Sequence, residues 1–177
     1  MSTPSIPAGT CIGHVHLKVA DLERSIHFYH ELMGFDLITR YGRQAAFLSA
    51  GGYHHHIGLN TWESLNGQPP APGTTGLYHF AILYPTRRDL AIALKRLLDG
   101  GWSIDGASDH GTHEAIYLHD PDFNGIELAR DRPPEEWHRK DGKISFDGRK
   151  PLDFENLWAE MGAPDSSGYL QVLANYK

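Results

Sequence analysis

The sequence predicts an α+β fold that consists of two βαβββ modules and a C-terminal arm with a short helix. Three observations support this prediction. Apolar residues alternate with period two in several short segments and recur at helical spacing in others. The same order of strand and helix patterns occurs twice along the chain. A Gly- and Pro-rich connector at residues 66–76 separates the two copies and marks the boundary between them.

The first predicted module covers residues 12–60. Residues 12–20 alternate in the way of a strand. Asp21 is a suitable N-cap for a helix over residues 22–33, and Gly34 is a suitable C-terminal stop. Glycine-containing turns separate the strands that we predict next, at residues 35–41, 44–49 and 54–60. The order of elements is therefore βαβββ.

The second predicted module covers residues 77–130 and repeats this order. A strand pattern over residues 76–84 leads to Thr86, and Asp89 three residues later is typical of a capping box. The helix that begins there is expected to end at Gly100. Further strands are predicted at residues 102–107, 115–118 and 125–129.

Two histidines occupy equivalent places in this internal repeat. His14 lies 20 residues before Gly34, and His79 lies 21 residues before Gly100. Self-similarity at a fixed spacing indicates two copies of one structural unit. We therefore expect His14 and His79 on matching strands, related by a pseudo-twofold axis.

We predict a single two-module domain at residues 12–130, preceded by a flexible N-terminus at residues 1–11. The remaining residues, 131–177, form the C-terminal arm. Within the arm, one amphipathic stretch at residues 152–161 predicts a helix. Two interpretations of the arm stay open, a clamp that covers an apolar edge of the sheet and a lid or dimer contact.

The composition excludes several functional classes. The 177 residues are 40% hydrophobic and carry a formal net charge of −6, as in an ordinary globular protein. The chain lacks a basic patch, so we expect no nucleic-acid partner. No apolar run approaches the roughly 18 residues of a membrane span, so no membrane partner is expected. Cys11 is the only cysteine, which excludes an internal disulfide and favours a cytoplasmic location.

Three residues form a candidate metal site, namely His14, His79 and Glu127. Two imidazoles and one carboxylate on one face of a divalent ion leave the opposite positions open. This set favours non-heme Fe(II), with Mn(II) as the alternative. His16 lies on the same strand face as His14 and competes with it for the ligand position. We interpret four other histidines as solvated or packing residues: His27, His30, His119 and His138.

Longer motifs resemble those of a known superfamily. The segment GHVHLKVADLERSIHFYHELMGF is similar to the opening module of the vicinal oxygen chelate superfamily, and AIYLHDPDFNGIELARDRP is similar to its metal-carboxylate module. More narrowly, GGYHHHIGLNTW and DHGTHEAIYLHDPDFNGIEL resemble type I extradiol ring-cleavage dioxygenases of the catechol 2,3-dioxygenase kind. The resemblance covers residues 12–137 and implies the vicinal oxygen chelate fold, with both modules paired around one metal site.

The resemblance also implies roles for individual residues. The metal ligands of the family fall on His14, His79 and Glu127, and the alignment favours His14 over His16.

The family's active-site histidine falls in the segment HHIGL, on His56, and its active-site tyrosine falls on Tyr117. A further histidine of the family matches His110, with His113 as a competing assignment.

Gly58 separates this interpretation from others within the superfamily. In relatives such as glyoxalase I, a fourth protein ligand comes from the position that corresponds here to Gly58. Glycine has no side chain to ligate, so a bound iron would keep the positions that a bidentate catecholate and O2 need together. Strand alternation places His56 on the same face as Gly58.

The resemblance implies an Fe(II)-dependent extradiol dioxygenase that cleaves a catechol-type aromatic diol with O2. His56 is expected to act as acid and base, Tyr117 to assist substrate deprotonation, and His110 to hold the other substrate oxygen or the arm. Most such dioxygenases carry four modules and this chain carries two, so self-association into a homo-oligomer is expected. The alternatives are a glyoxalase-like isomerase or antibiotic-modifying transferase that does not use O2, and a metal-free protein that sequesters an aromatic ligand, like the bleomycin-resistance proteins.

Overall fold

Two four-stranded sheets with the same topology dominate the computed structural model, which describes residues 5–162 and 167–176. The elements of the first module are β1 (Val15–Lys18), α1 (Leu22–Ile26), β2 (Asp36–Tyr41), β3 (Ala45–Ser49) and β4 (Ile57–Asn60). Those of the second are β5 (Phe80–Leu83), α2 (Arg87–Asp99), β6 (Gly106–Asp109), β7 (His113–His119) and β8 (Gly125–Asp131). The strand orders are β1-β4-β3-β2 and β5-β8-β7-β6, with a parallel first pair in each sheet. The predicted α+β class with two βαβββ modules is confirmed.

The described chain divides into two compact units. The first contains the described residues up to 31 together with 35–68, and the second contains residues 32–34 and the described residues from 69 onward. The division between 68 and 69 falls inside the predicted connector, residues 66–76.

In the first unit, the N-cap predicted at Asp21 is present, since its side chain accepts a hydrogen bond from the backbone N–H of Arg24. The α-helix is shorter than predicted, because the chain continues from Ile26 as a π-helical segment, His27–Leu32. Gly34 follows with a φ of 89°, a left-handed conformation that favours glycine. The buried residues of the first unit include Phe28, Tyr29, Leu48, Ile57 and Leu59.

In the second unit, the capping box predicted at Thr86 and Asp89 is present, with both reciprocal hydrogen bonds. Helix α2 buries one face, which contains Leu90, Leu94 and Leu97. The sheet contributes further buried residues, among them Ile116, Leu118, Ile126 and Leu128.

The strands differ in extent from their predicted ranges. Strand β1 begins at Val15 and strand β4 at Ile57, so His14 and the run His54 to His56 precede the strands. Strand β6 starts at Gly106, later than the predicted 102. Periodicity identifies a strand, whereas its ends depend on where the neighbouring backbone stops forming hydrogen bonds.

The C-terminal arm contains more structure than predicted. A 3₁₀ turn (Pro134–Glu136) leads into a short hairpin of β9 (Arg139–Lys140) and β10 (Lys143–Ile144). The predicted helix is α3 (Phe154–Ala159), and a second helix, α4 (Ser167–Leu173), corrects the expectation of a single one. Helix α4 contains Gly168 near its start, and glycine lowers helix propensity, so the sequence does not indicate a helix there.

Part of the predicted flexible N-terminus, residues 1–4, lies outside the described residues. The same holds for residues 163–166 and 177 of the predicted C-terminal arm.

Backbone and side-chain contacts attach the arm to the second module. Lys150 and Asp109 exchange two backbone hydrogen bonds of 2.8 and 2.9 Å, at the outer edge of β6. Helix α3 buries Leu157 and Trp158. These contacts agree with the clamp interpretation of the arm.

Among the described residues, no helix has both the length and the apolar composition that a membrane crossing requires.

Candidate metal centre and adjoining cavity

The registers of the two sheets establish which residues correspond between the modules. In the second module Phe80 pairs with Ile126 and Ala81 with Glu127, and His79 directly precedes this pairing. In the first module Val15 pairs with Ile57 and His16 with Gly58, and His14 directly precedes it. His14 therefore corresponds to His79, as the spacing of the repeat predicts, and Gly58 corresponds to Glu127, as the resemblance to the superfamily implies.

Glu127 is the buried carboxylate of the second module. Its residue is 6% exposed, and each carboxylate oxygen has its own imidazole partner. His79 Nε2 lies 2.9 Å from Oε2, and His113 Nε2 lies 3.0 Å from Oε1. His113 Nε2 donates a hydrogen bond to Oε1, and His79 Nε2 lies within ion-pair distance of Oε2. The two contacts together offset the cost of burying a carboxylate.

Gly125 explains why His79 can lie so close to β8. A Cβ atom at Gly125 would overlap the carbonyl oxygen of Tyr78 and lie 3.1 Å from the Cβ of His79. Only glycine permits this approach of the two chain segments. The start of β5 is thereby held against the start of β8, which brings His79 to Glu127.

The donor pair His79 and Glu127 fits two neighbouring ligands of one divalent metal. Ligand atoms about 2.1 Å from a metal and at right angles around it are about 3 Å apart, and the observed separation of Nε2 and Oε2 is 2.9 Å. Among the described residues, however, no three His, Cys, Asp or Glu side chains form a complete metal-binding group. The second unit by itself supplies two of the three predicted ligands.

His110 and Tyr117 form a second polar pair in this unit. His110 Nε2 lies 2.7 Å from the Tyr117 hydroxyl, and the His110 ring stacks on His113 at 4.7 Å. Burial and the charge of Glu127 raise the pKa of Tyr117 to about 12, so its hydroxyl stays protonated at neutral pH. Burial and nearby His113 lower the pKa of His110. A protonated phenol beside a neutral imidazole is a pair through which a proton can pass.

These polar groups border a cavity of about 640 Å³ in the second unit. His79, His110 and Tyr117 contribute to its wall, together with apolar residues and one cation, Arg149 of the arm. A volume of this size accommodates a small aromatic ligand, since ligand sites span about 300–1,000 Å³.

His119 also lines this cavity and has a partner that the sequence analysis did not foresee. Its Nδ1 contacts the Asp105 carboxylate at 2.5 Å. His119 is exposed, in agreement with its interpretation as a solvated residue, and the contact with Asp105 is an addition to it. Asp105 precedes β6 and is distant in sequence, so only strand pairing brings the two together.

In the first unit, His14 is adjacent to His55. Their ring centroids are 4.3 Å apart, and His55 also packs edge-on against Phe47 at 5.1 Å. Burial and the neighbouring His14 lower the pKa of His55. The structure thus brings His55 to the predicted ligand.

His56 has a different environment. Its Nδ1 accepts a hydrogen bond from the backbone N–H of Ala50 at 3.3 Å and lies 3.0 Å from the Ser49 hydroxyl. The ring therefore carries its neutral-state proton on Nε2. These contacts anchor His56 to the turn between β3 and β4.

His16, the competitor of His14 in the sequence analysis, packs across Gly58. A Cβ at Gly58 would lie 2.9 Å from the His16 ring. His16 therefore occupies the space beside the position that corresponds to Glu127 in the other module. Burial, with a smaller effect of His14, lowers the pKa of His16.

Comparison with known proteins agrees with the fold of two βαβββ modules. A family model described as the Glyoxalase/Bleomycin resistance protein/Dioxygenase superfamily matches residues 11–128. The chain belongs to this superfamily. A solved superfamily structure, a glyoxalase/dioxygenase from Nostoc punctiforme, superposes with a TM-score of 0.59 at 21% identity. It covers 75% of this chain and 100% of its own, and at this identity it supports the fold alone.

Two curated proteins are similar to this superfamily member over most of its length. Catechol-2,3-dioxygenase of Bacillus subtilis is 42% identical over 159 residues, which are 89% of this chain and 54% of the relative. Biphenyl-2,3-diol 1,2-dioxygenase 3 of Rhodococcus globerulus is 30% identical over 127 residues, which are 71% of this chain and 66% of the relative. The chain therefore spans between half and two thirds of their length.

Proposed function

We propose that this member of the superfamily is an Fe(II)-dependent extradiol dioxygenase that cleaves a catechol-type aromatic diol with O2. The observation that carries the proposal is the His79–Glu127 donor pair on β5 and β8, next to a cavity bordered by His110 and Tyr117. The similarity to two dioxygenases that act on catechol and on a biphenyl diol supports it.

The proposed metal ligands are His14, His79 and Glu127, with Mn(II) as the alternative ion. When bound, the metal supplies electron transfer between a chelated diol and O2. His113 keeps one oxygen of Glu127 engaged, which leaves the other oxygen directed to His79.

We assign substrate deprotonation and orientation to Tyr117 and His110. The Tyr117 hydroxyl keeps its own proton at neutral pH, and its oxygen can accept the proton of a diol hydroxyl as its own proton passes to His110. His110 Nε2, 2.7 Å from that hydroxyl, can accept or return the proton.

The second acid–base group is a histidine of the first unit. His56 is the predicted candidate, and the contacts of its Nδ1 with Ala50 and Ser49 leave Nε2 free to act. We propose His55 as a second candidate, because its ring lies beside the proposed ligand His14, although its Nδ1 lies 2.7 Å from that of His54.

The test is anaerobic loading with Fe(II), followed by O2 uptake with catechol, 3-methylcatechol and 2,3-dihydroxybiphenyl. Stoichiometric O2 consumption with a ring-opened visible product is expected, and His79→Ala should abolish it. His138→Ala, a change of an exposed arm histidine, is the matched control. Comparison of His55→Ala with His56→Ala then decides which imidazole acts. Tight binding of a divalent metal without O2 consumption for any diol would instead favour an isomerase or transferase.

We also propose that the chain self-associates, since it carries two modules and its matching residues make up only 54% of the catechol-2,3-dioxygenase relative. Sedimentation equilibrium measures this directly, and a monomer at micromolar concentration would contradict it.

A further inference from the structure

Arg149 is the one Lys or Arg side chain among the described residues that line the cavity of the second unit. It belongs to the C-terminal arm, far in sequence from His79, His110 and Tyr117, which share the cavity wall. The proposed reaction gives this cation no role, so its presence in the cavity wall calls for a chemical reason.

Two contacts fix the position of Arg149. The next residue, Lys150, exchanges two backbone hydrogen bonds with Asp109 at the edge of β6. The Arg149 Nε donates to the hydroxyl of buried Ser108 at 2.8 Å. The Nε–H is therefore used for anchoring, and the Nη donors remain available to the cavity. An anchored guanidinium loses less conformational freedom when it binds a ligand.

Neighbouring carboxylates do not neutralise this cation. Asp105, which also lines the cavity, contacts His119. Glu127 has His79 on one oxygen and His113 on the other. Both acidic groups are thus engaged by imidazoles, and the charge of Arg149 stays available.

The remaining wall suits an aromatic ring. Leu118 and Ile126 are buried strand residues, and Phe123 stands at the turn before β8. Phe123 has a φ of 63°, and the turn is held by Asp120, whose carboxylate accepts from the N–H groups of Asp122 and Asn124. The cavity therefore offers apolar contacts for a ring and one guanidinium for an anionic substituent.

We propose that Arg149 selects aromatic diols that carry a carboxylate, by donating hydrogen bonds from its Nη atoms to that group. The planar guanidinium matches a carboxylate in geometry and charge. This inference rests on the proposed function for the identity of the ring and its two hydroxyls. It adds the substrate class, an acidic rather than a neutral catechol.

The experiment compares 3,4-dihydroxybenzoate with 3,4-dihydroxybenzamide, which has a similar shape and no charge. Binding is measured anaerobically on the full chain, with and without Fe(II), and kcat/KM is measured with O2. Wild type should prefer the acid by about tenfold or more. Arg149→Gln should remove that preference by weakening the binding of the acid far more than that of the amide, and Arg149→Lys should keep part of the preference. Arg139→Gln, on the same arm and outside the cavity lining, is the matched control.

Ser108→Ala provides a second variant, because it removes the anchor and keeps the charge. It should reduce the preference for the acid without abolishing it.

The results separate the two proposals. Equal binding of acid and amide by wild type, or an equal loss of both in Arg149→Gln, would overturn the assignment of Arg149 as a carboxylate-binding residue. A preference for the acid in binding, without O2 consumption by any diol, would retain Arg149 as the carboxylate-binding residue and reject the dioxygenase. O2 consumption with neutral diols only would retain the dioxygenase and reject Arg149 as the carboxylate-binding residue.

Discussion

Glu127 illustrates how one buried residue can serve two purposes. One oxygen contacts His79, a proposed metal ligand, and the other contacts His113, which in turn bonds the Thr112 hydroxyl at 2.8 Å through Nδ1. Outer partners of this kind orient ligating carboxylates and raise metal affinity. His113 is therefore a positioning residue for Glu127.

Replacing His113 with Ala should weaken the binding of Fe(II) or Mn(II) about 10- to 100-fold, because Glu127 loses the contact that fixes its second oxygen. Metal titration followed by equilibrium dialysis measures this without reference to turnover. His119→Ala, on the same strand but bonded to Asp105, should leave the affinity unchanged. Equal metal affinities of His113→Ala and wild type would show that Glu127 needs no such support.

At the scale of elements, buried and partly buried charges hold the arm to the second module. Arg87, the first residue of α2, donates from Nε to both oxygens of Glu114 on β7, at 3.0 and 2.8 Å. Its Nη1 contacts Asn156, which lies in α3, and Glu160, which directly follows α3. Glu114 is 2% exposed, so the contact with Arg87 offsets the free-energy cost of burying its carboxylate.

Arg87→Ala should lower the free energy of unfolding by about 3 kcal/mol or more, since it leaves a buried carboxylate without its main cation. Chemical denaturation at neutral pH provides the measurement. Glu160→Gln removes only the exposed partner of the same arginine and should cost about 0.5 kcal/mol or less. A small loss in Arg87→Ala would mean that Arg132, whose Nη2 lies 3.8 Å from Glu114, compensates.

The pair of Asp109 and Arg132 predicts a dependence of stability on acid pH. Burial alone would raise the pKa of Asp109, but hydrogen bonds from Arg132 and from the N–H of Gly111 hold it below the ordinary 3.8. The unfolded chain thus binds the proton more readily than the folded one. The stabilisation is present above pH 3.8 and is lost as the pH falls through the folded-state pKa.

Denaturation curves of wild type and Asp109→Asn at pH 7 and pH 3 test this dependence. The variant should be less stable at pH 7, and the difference should shrink at pH 3. Asp141→Asn, at an exposed loop, serves as the control and should show no such convergence. A constant difference across the pH range would exclude the carboxylate of Asp109 as its source.

At the scale of the whole molecule, two modules of one topology have diverged at matching positions. The second module places Ala81 opposite Glu127, and the first places His16 opposite Gly58. Where one module has a carboxylate, the other has an imidazole lying over a glycine. The duplicated backbone therefore presents the proposed ligand carboxylate in one copy only.

Gly58→Ala should cost about 1–3 kcal/mol of unfolding free energy, because the new methyl group would meet the His16 ring. In a His16→Ala background the same substitution should cost less. Gly106→Ala, in a strand where a Cβ meets nothing within 4 Å, is the control. Additive effects of the two substitutions, measured by a double-mutant cycle, would contradict the packing of His16 on Gly58.

Much of this architecture could be predicted from the sequence, because it depends on local chemistry and on a repeat. Asp21 and Thr86 cap helices through neighbours three residues away, so their signal is local. The correspondence of His14 with His79 required only spacing, whereas that of Gly58 with Glu127 came from the resemblance to the superfamily. The polar pair of His110 and Tyr117 was also predicted as part of the site, and the structure brings the two together.

Other features depend on contacts that periodicity does not encode. His55 and His56 precede β4, which begins at Ile57. The alternation of side chains in a strand therefore does not determine which of the two imidazoles is directed to the site. Arg149 and Asp105 reach the cavity through irregular segments whose paths follow from tertiary contacts. Arg149 and Asp105 lie outside the repeating pattern, which is why the sequence analysis did not single them out.

The bridge between Lys150 and Asp109 has a consequence for truncated forms of the protein. Strand β6 is the outer strand of its sheet, and Lys150 satisfies backbone groups there that would otherwise be open to pairing. A fragment ending at Asp131 would keep every strand of both repeats and all three proposed ligands. It would also present a bare strand edge to other molecules. We expect such a fragment to aggregate on concentration, which light scattering would detect, so the repeat boundary is a poor place to shorten this chain.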